Sequence, residues 1–177
     1  MTVVVPAGGT ARVGVLMGSA SDWPVMKAAV VELNALGVAC EVGVSSAHRN
    51  PDGTAEFAKT AAARGLSVLI CGAGGAAHLA GVVAAVTPLP VIAVPVRLKA
   101  MSGLDSLLSM VQMPAGIPVA TVGIDAAANA GLLAARILGV ADPGVAERVA
   151  RHQAGLTAKN IKADADLAAA ITQDGLV

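Results

Sequence analysis

Charge is scarce in this sequence: Asp, Glu, Lys and Arg make up only 14% of the chain, against roughly 25% in an average soluble domain. Twelve basic and twelve acidic residues cancel to a formal net charge of zero. Aromatic residues are rarer still, with one Trp, one Phe and no Tyr. Nucleic-acid binding needs a cationic footprint or a platform on which bases stack, and neither is present. Only two cysteines occur, Cys40 and Cys71, without a C-x-x-C pair, each inside or at the end of a predicted strand. That pattern reads as two buried, reduced thiols rather than a disulfide framework. Three scattered histidines complete no metal-ligand spacing.

A basic start and a long apolar segment are also missing from residues 1–11. The expectation is a flexible arm rather than a signal peptide, and a cytoplasmic protein. Between Gly65 and Val96 there is no charged residue at all, so a membrane span is the first alternative to exclude. A span needs about 20 predominantly apolar residues, whereas Gly72, Gly74, Gly75, His78, Pro88 and Pro90 cut this stretch into shorter pieces. No membrane or nucleic-acid partner is expected. What is abundant is apolar residue, 55% of the chain, ample for one core in a domain of this length. So apolar and weakly charged a surface favours a homo-oligomer.

The apolar residues follow a repeating grammar. Arg12 to Met17 reads as a strand, and a helix begins near Trp23 with Pro24 in its first turn. Met26, Ala29, Val30 and Leu33 recur at helical spacing, and Gly37 supplies the stop. Strands follow over residues 39–44, 67–71, 90–94 and 119–122, alternating with helices near 52–64, 77–86, 104–111 and 126–138. Strands apolar on both faces, alternating with helices, predict a three-layer α/β/α sandwich with a parallel, flavodoxin-like or Rossmann-like sheet. After Leu138, Asp142-Pro143 opens a further helix to about Thr157. The organisation predicted is an arm (1–11), one α/β catalytic domain (12–160) and a polar tail segment (161–177) with no core of its own, packed on the body or on another subunit.

In such folds ligands bind beyond the carboxyl ends of the strands, at a topological switch point. The loops there are polar or glycine-rich. Ser45 to Pro51 reads S-S-A-H-R-N-P and places hydroxyls, an imidazole and a guanidinium within five residues. Arg49 carries a permanent charge and a planar donor fork suited to phosphate or carboxylate, and the imidazole of His48 can exchange a proton near neutral pH. An anionic substrate undergoing proton transfer is one reading; solvated loop residues, with Arg49 paired to Asp52, are the other. Gly72 to Ala77 matches the G-x-G-x-x-A dinucleotide fingerprint, but it follows the third strand rather than the first, and the next acidic residue is Asp105. Backbone amides approaching a small ligand fit those glycines better.

Taken together, M-G-S-A-S-D-W (17–23), S-A-H-R-N-P (46–51), G-A-G-G-A-A-H-L (72–79), G-L-D-S-L-L-S-M-V-Q-M-P-A-G-I-P-V-A-T (103–121) and A-A-N-A-G-L-L-A-A (127–135) resemble the PurE family of purine biosynthesis, the N5-carboxyaminoimidazole ribonucleotide mutases. The likeness runs in register over roughly Val13 to Leu138. Asn50 stands where the family usually has Thr, and Arg97 where many members have Gln. The resemblance implies an isomerase that moves a carboxyl from the exocyclic amine of an aminoimidazole ribotide to the adjacent ring carbon, with no metal and no organic cofactor. It implies His48 as the proton-transferring residue. Ser19, Asp22, Arg49 and Ser46 would bind the ribotide, Gly74 would lie near the migrating carboxyl, and His78 would orient that carboxyl or cap the next helix. It also implies a homo-octamer. A related class carboxylates aminoimidazole ribotide directly with carbon dioxide and carries Lys at the Arg49 position, so Arg49 favours the mutase. A nucleotide-dependent oxidoreductase and a non-catalytic flavodoxin-like binding module are the readings outside this class.

Overall fold

The computed structural model describes residues 3–5 and 10–176. Six strands form one sheet: β1 (Val3–Val5), β2 (Val13–Met17), β3 (Cys40–Val44), β4 (Val68–Gly74), β5 (Val91–Val96) and β6 (Ala120–Thr121). Their spatial order is β1-β3-β2-β4-β5-β6, with β1 antiparallel on the edge and the other five parallel. The chain runs outward from β2 to β3, then crosses back to β4 on the other side of β2. This is the flavodoxin-like order, and its switch point lies between β2 and β4.

The strands are apolar on both faces because both are covered. Val13, Val15, Met17, Ile70, Ile92 and Val94 face a core shared with α1 (Trp23–Ala35) and α5 (Ala127–Gly139). Leu16, Leu69, Cys71, Val91 and Ala93 face a second core, which is closed by α2 (Pro51–Thr60), α3 (Leu79–Ala84) and α4 (Leu104–Val111). The helical spacing read in α1 is the buried stripe itself: Met26, Ala29, Val30 and Leu33. Asn50 accepts from the backbone N–H of Gly53 at 3.1 Å and so caps α2 ahead of Pro51. An Asn cap serves as well as Thr there, which explains why that departure leaves the fold intact.

α5 meets α1 at Gly131, where an added Cβ would lie 2.7 Å from the carbonyl oxygen of Ala29. Backbone cannot swing aside as a side chain can. In an open helix Gly→Ala gains about 0.8–1.0 kcal/mol, and overpacking a tight site costs about 1–3 kcal/mol. Gly131→Ala is therefore expected to destabilise the protein by roughly 1 kcal/mol in urea unfolding, the overpacking cost outweighing the propensity gain. Gly155, with nothing within 4 Å, should respond oppositely, with Gly155→Ala raising helicity by circular dichroism. Equal responses at the two glycines would refute the contact argument.

Three expectations are corrected. Residues 3–5, read as part of an arm, pair with β3; residues 6–9 lie outside the described residues. β4 continues through Gly72 to Gly74 instead of ending at Cys71, since Cys71, Gly72, Ala73 and Gly74 keep their register against β5 and ladder bonds require only backbone. The chain after Thr157 is not a separate segment, because α6 (Pro143–Gln173) is a single helix of 31 residues. Asp142 starts it by accepting from the N–H of Val145 at 3.1 Å, and that bond, with the Arg12 guanidinium at 2.6 Å, holds its carboxyl below the ordinary range. No proline interrupts α6 beyond Pro143, alanine is frequent along it, and Lys162 pairs with Asp166 one turn on. Only the first part of α6 is docked. Val145 and Val149 are buried, Arg148 donates to the carbonyl of Leu36 at 2.6 Å, and His152 is half-buried beside Glu32 at 3.2 Å. From Gln153 to Ala170 every residue is exposed. Among the described residues no helix is long and apolar enough to cross a membrane.

Candidate active site at the switch point

The loops leaving β2, β3 and β4 converge on a cavity of about 380 Å³, large enough for a nucleotide-sized ligand. Ser19, Asp22, Ser46, His48, Arg49, Gly74 and His78, all marked by the sequence, line it together. Leu98 and Ser21, which the sequence reading did not single out, line it as well. Ser21 sits inside the M-G-S-A-S-D-W motif and could have been found there. Leu98 carried no signal, because its place depends on how the chain leaves β5.

After β2 the chain makes a tight turn over Ala20–Asp22 before α1. Ser19 accepts from the N–H of Ser21 at 3.3 Å and from its hydroxyl at 2.8 Å, while Asp22 accepts from the N–H of Ser19 at 3.1 Å. The pair is a capping box, with Asp22 closing the turn rather than capping α1 with its side chain. Burial pushes the Asp22 carboxyl up, opposed by the Ser19 N–H, by Ser21 and by the charge of Arg49. After β3, the hydroxyl of Ser46 accepts from the N–H and from Nε of Arg49, both at 3.3 Å. Arg49 Nη2 donates to the carbonyl of Gly18 at 3.1 Å, which ties this loop to the first one. The alternative pairing with Asp52 does not form.

These bonds dictate what the site can offer. The oxygens of Ser19 and Ser46 each already accept two hydrogen bonds, so what remains is to donate the O–H. Arg49 is the one permanent cation lining the cavity among the described residues, and only two of its nitrogens are engaged by side-chain bonds. A site with hydroxyl donors, a guanidinium and a single buried carboxylate suits an anion that also carries hydroxyl groups.

His48 Nε2 lies 2.8 Å from His78 Nδ1, with the two rings edge to face. His78 makes no side-chain cap on α3, so that role is not realised. Two imidazoles in one hydrogen bond share a proton, and either can be the donor. Gly74, also in the lining, permits the close approach of Leu98, since a Cβ there would lie 2.8 Å from Leu98 Cγ.

The cysteines stay out of this chemistry. Cys40 and Cys71 are buried, and burial pushes their thiols up to about 11 and about 12. A thiol so protected is neither deprotonated nor reachable. Neither cysteine is expected to react with a thiol reagent at pH 8 until the protein is unfolded, when both should react; rapid labelling of the native protein would refute their burial. Among the described residues no group of three His, Cys, Asp or Glu side chains could hold a metal ion.

Residues 12–159 match the AIR carboxylase family. The chain is 57% identical over 162 residues to an N5-carboxyaminoimidazole ribonucleotide mutase of Mycobacterium tuberculosis, spanning 92% of this chain and 93% of that one. It is 56% identical over 147 residues to the mutase of Pyrococcus horikoshii, spanning 83% of each. The crystal structure of Treponema denticola PurE is similar at a TM-score of 0.81 and 31% identity, covering 88% of this chain and 98% of that one.

Proposed function

The chain belongs to the AIR carboxylase family, and from that premise we propose that it is an N5-carboxyaminoimidazole ribonucleotide mutase of purine biosynthesis. The reaction is an isomerisation that produces 4-carboxy-5-aminoimidazole ribonucleotide. The observation that carries the reading is that an imidazole able to exchange a proton, His48, and three groups able to hold an anion, Ser19, Ser46 and Arg49, line one cavity. The high identity to proteins named as mutases selects the reaction.

The ribotide phosphate is held by Arg49 and by the donating hydroxyls of Ser46 and Ser19, and a ribose hydroxyl donates to Asp22. That anchoring places the imidazole ring against the wall formed by His48, Gly74 and His78. His48 protonates the exocyclic nitrogen as its bond to the carboxyl breaks, which leaves a neutral amine and carbon dioxide. The electron-rich ring carbon then attacks carbon dioxide, and the new carbon–carbon bond makes that carbon tetrahedral. His48 takes its proton, which restores the aromatic ring and the starting state of the enzyme. No atom is gained or lost. Retaining both fragments in one cavity makes recapture effectively unimolecular. Gly74 and His78 bound the space the carboxyl crosses.

The deciding experiment supplies either the carbamate ribotide or aminoimidazole ribotide with bicarbonate to the purified protein. A mutase converts the first rapidly and needs no metal or added cofactor; a direct carboxylase depends on the second. Turnover of neither would remove the proposal. The nucleotide-dependent oxidoreductase is disfavoured because the G-x-G-x-x-A loop leaves β4, not β2, and the next acidic residue is Asp105.

We also propose a cytoplasmic homo-octamer. Two buried, unpaired thiols suit a reducing compartment. Leu156, Ile161 and Leu167 on the undocked part of α6 and Val140 before it are exposed, and burial between subunits would cover such residues. Sedimentation at low micromolar concentration is expected to show a large assembly; a monodisperse monomer would contradict it.

A further inference from the structure

Ser106 lies in the first turn of α4 with its hydroxyl bonded outside its own helix. The residue is fully buried. A serine in a helix usually satisfies its hydroxyl on a carbonyl of the preceding turn. Here the hydroxyl donates to the carbonyl of Val96, at the end of β5, at 2.8 Å, and accepts from the N–H of Gly75 at 2.9 Å. Alanine would serve the helix better than serine, so what the hydroxyl contributes lies in the two segments it joins.

Both segments border the cavity. Val96 precedes Arg97 and Leu98, and Leu98 packs on Gly74. Gly75 and Ala77 hold positive φ values of 70° and 44° on the way to His78. The Gly74–Gly75 peptide is planar and trans, so a Gly75 N–H bound to Ser106 turns the Gly74 carbonyl the opposite way. One hydroxyl thus sets the orientation of a peptide in the cavity wall and anchors the strand end that leads to Leu98.

We propose that Ser106 is a positioning residue for the carboxyl-transfer half of the site: it locks the Gly74–Gly75 peptide and Leu98 in the arrangement that retains and redirects the migrating carboxyl. This rests on the mutase reading. Because the ribotide contacts at Ser19, Asp22, Ser46 and Arg49 belong to other loops, the lock acts on turnover and not on ribotide affinity.

The test compares wild type, Ser106→Ala and Ser106→Thr for mutase turnover, for calorimetric affinity toward the product ribotide, and for hydrogen exchange in the peptide containing Gly75. For Ser106→Ala, turnover is expected to fall about 10- to 100-fold, the scale of a small misplacement at a reacting centre, with affinity within about twofold. Exchange at Gly75 should accelerate while the β2 and β5 peptides stay protected. Ser106→Thr, which retains the hydroxyl, should recover much of the lost turnover. Unchanged turnover in Ser106→Ala, or parallel losses of turnover, affinity and sheet protection, would overturn the inference. If wild type itself shows no mutase turnover, the functional reading fails on its own account. Exchange then decides the lock: unchanged Gly75 protection in Ser106→Ala refutes it, and selective acceleration supports it.

Discussion

His48→Asn is expected to lower mutase turnover by at least about 10²-fold, the usual minimum for loss of an acid–base group, while product-ribotide affinity changes little. Asn keeps a polar group of similar reach, so it can still approach His78, which sits 2.8 Å from His48. What it loses is the ability to give a proton to the exocyclic nitrogen and then take one from the tetrahedral ring carbon. Imidazole alone among unperturbed side chains changes charge between about pH 5 and 8. The substitution therefore separates chemistry from binding. His78→Asn is expected to be milder, because His48 retains both of its nitrogens. Near wild-type turnover in His48→Asn would remove it from the mechanism. Cys71 could not then inherit the role easily, since its thiol is fully buried and pushed up to about 12. His78 would be the remaining proton carrier on that wall.

Arg49→Ala is expected to act chiefly on affinity. A hydrogen bond to a charged group contributes about 1.5–3 kcal/mol, so binding of the product ribotide should weaken by roughly one to two decades. The guanidinium also donates to Ser46 and to the carbonyl of Gly18, so its removal loosens the junction of two loops along with the phosphate contact. Arg49→Lys distinguishes these effects. Lys retains the charge but not the planar fork, and it should recover part of the affinity if phosphate binding dominates. If Arg49→Ala instead abolishes turnover at saturating ribotide with affinity intact, the phosphate assignment is wrong.

The site was legible to different depths at different residues. The S-S-A-H-R-N-P loop advertised itself because a polar cluster between a strand and a helix has no core to serve. The location of Ser19 and Asp22 beside it followed from the rule that loops at the carboxyl ends of parallel strands share a mouth. The structure adds to the role implied for Asp22 a local one, as the partner of the Ser19 N–H in a capping box. His78 illustrates the limit most clearly. The sequence placed it at the start of a helix, where a cap is the local expectation, yet its partner is His48, 30 residues earlier.

By itself the sequence determined the alternation of elements, the two-sided burial of the strands, the buried stripe of α1 and the set of loops from which the site is built. These are local properties: periodicity, capping and turn chemistry act over a few residues. Tertiary structure decided the order β1-β3-β2-β4-β5-β6, since strands apolar on both faces carry no mark of their neighbours. It also decided the contact between His48 and His78, the closure of the cavity by Leu98 and the two bonds of Ser106. Each of these depends on where a crossover returns the chain. α6 shows the same division within a single helix: composition makes all of Pro143–Gln173 helical, but only packing against α1 and α5 selects which part is buried, because helix propensity is indifferent to what lies alongside.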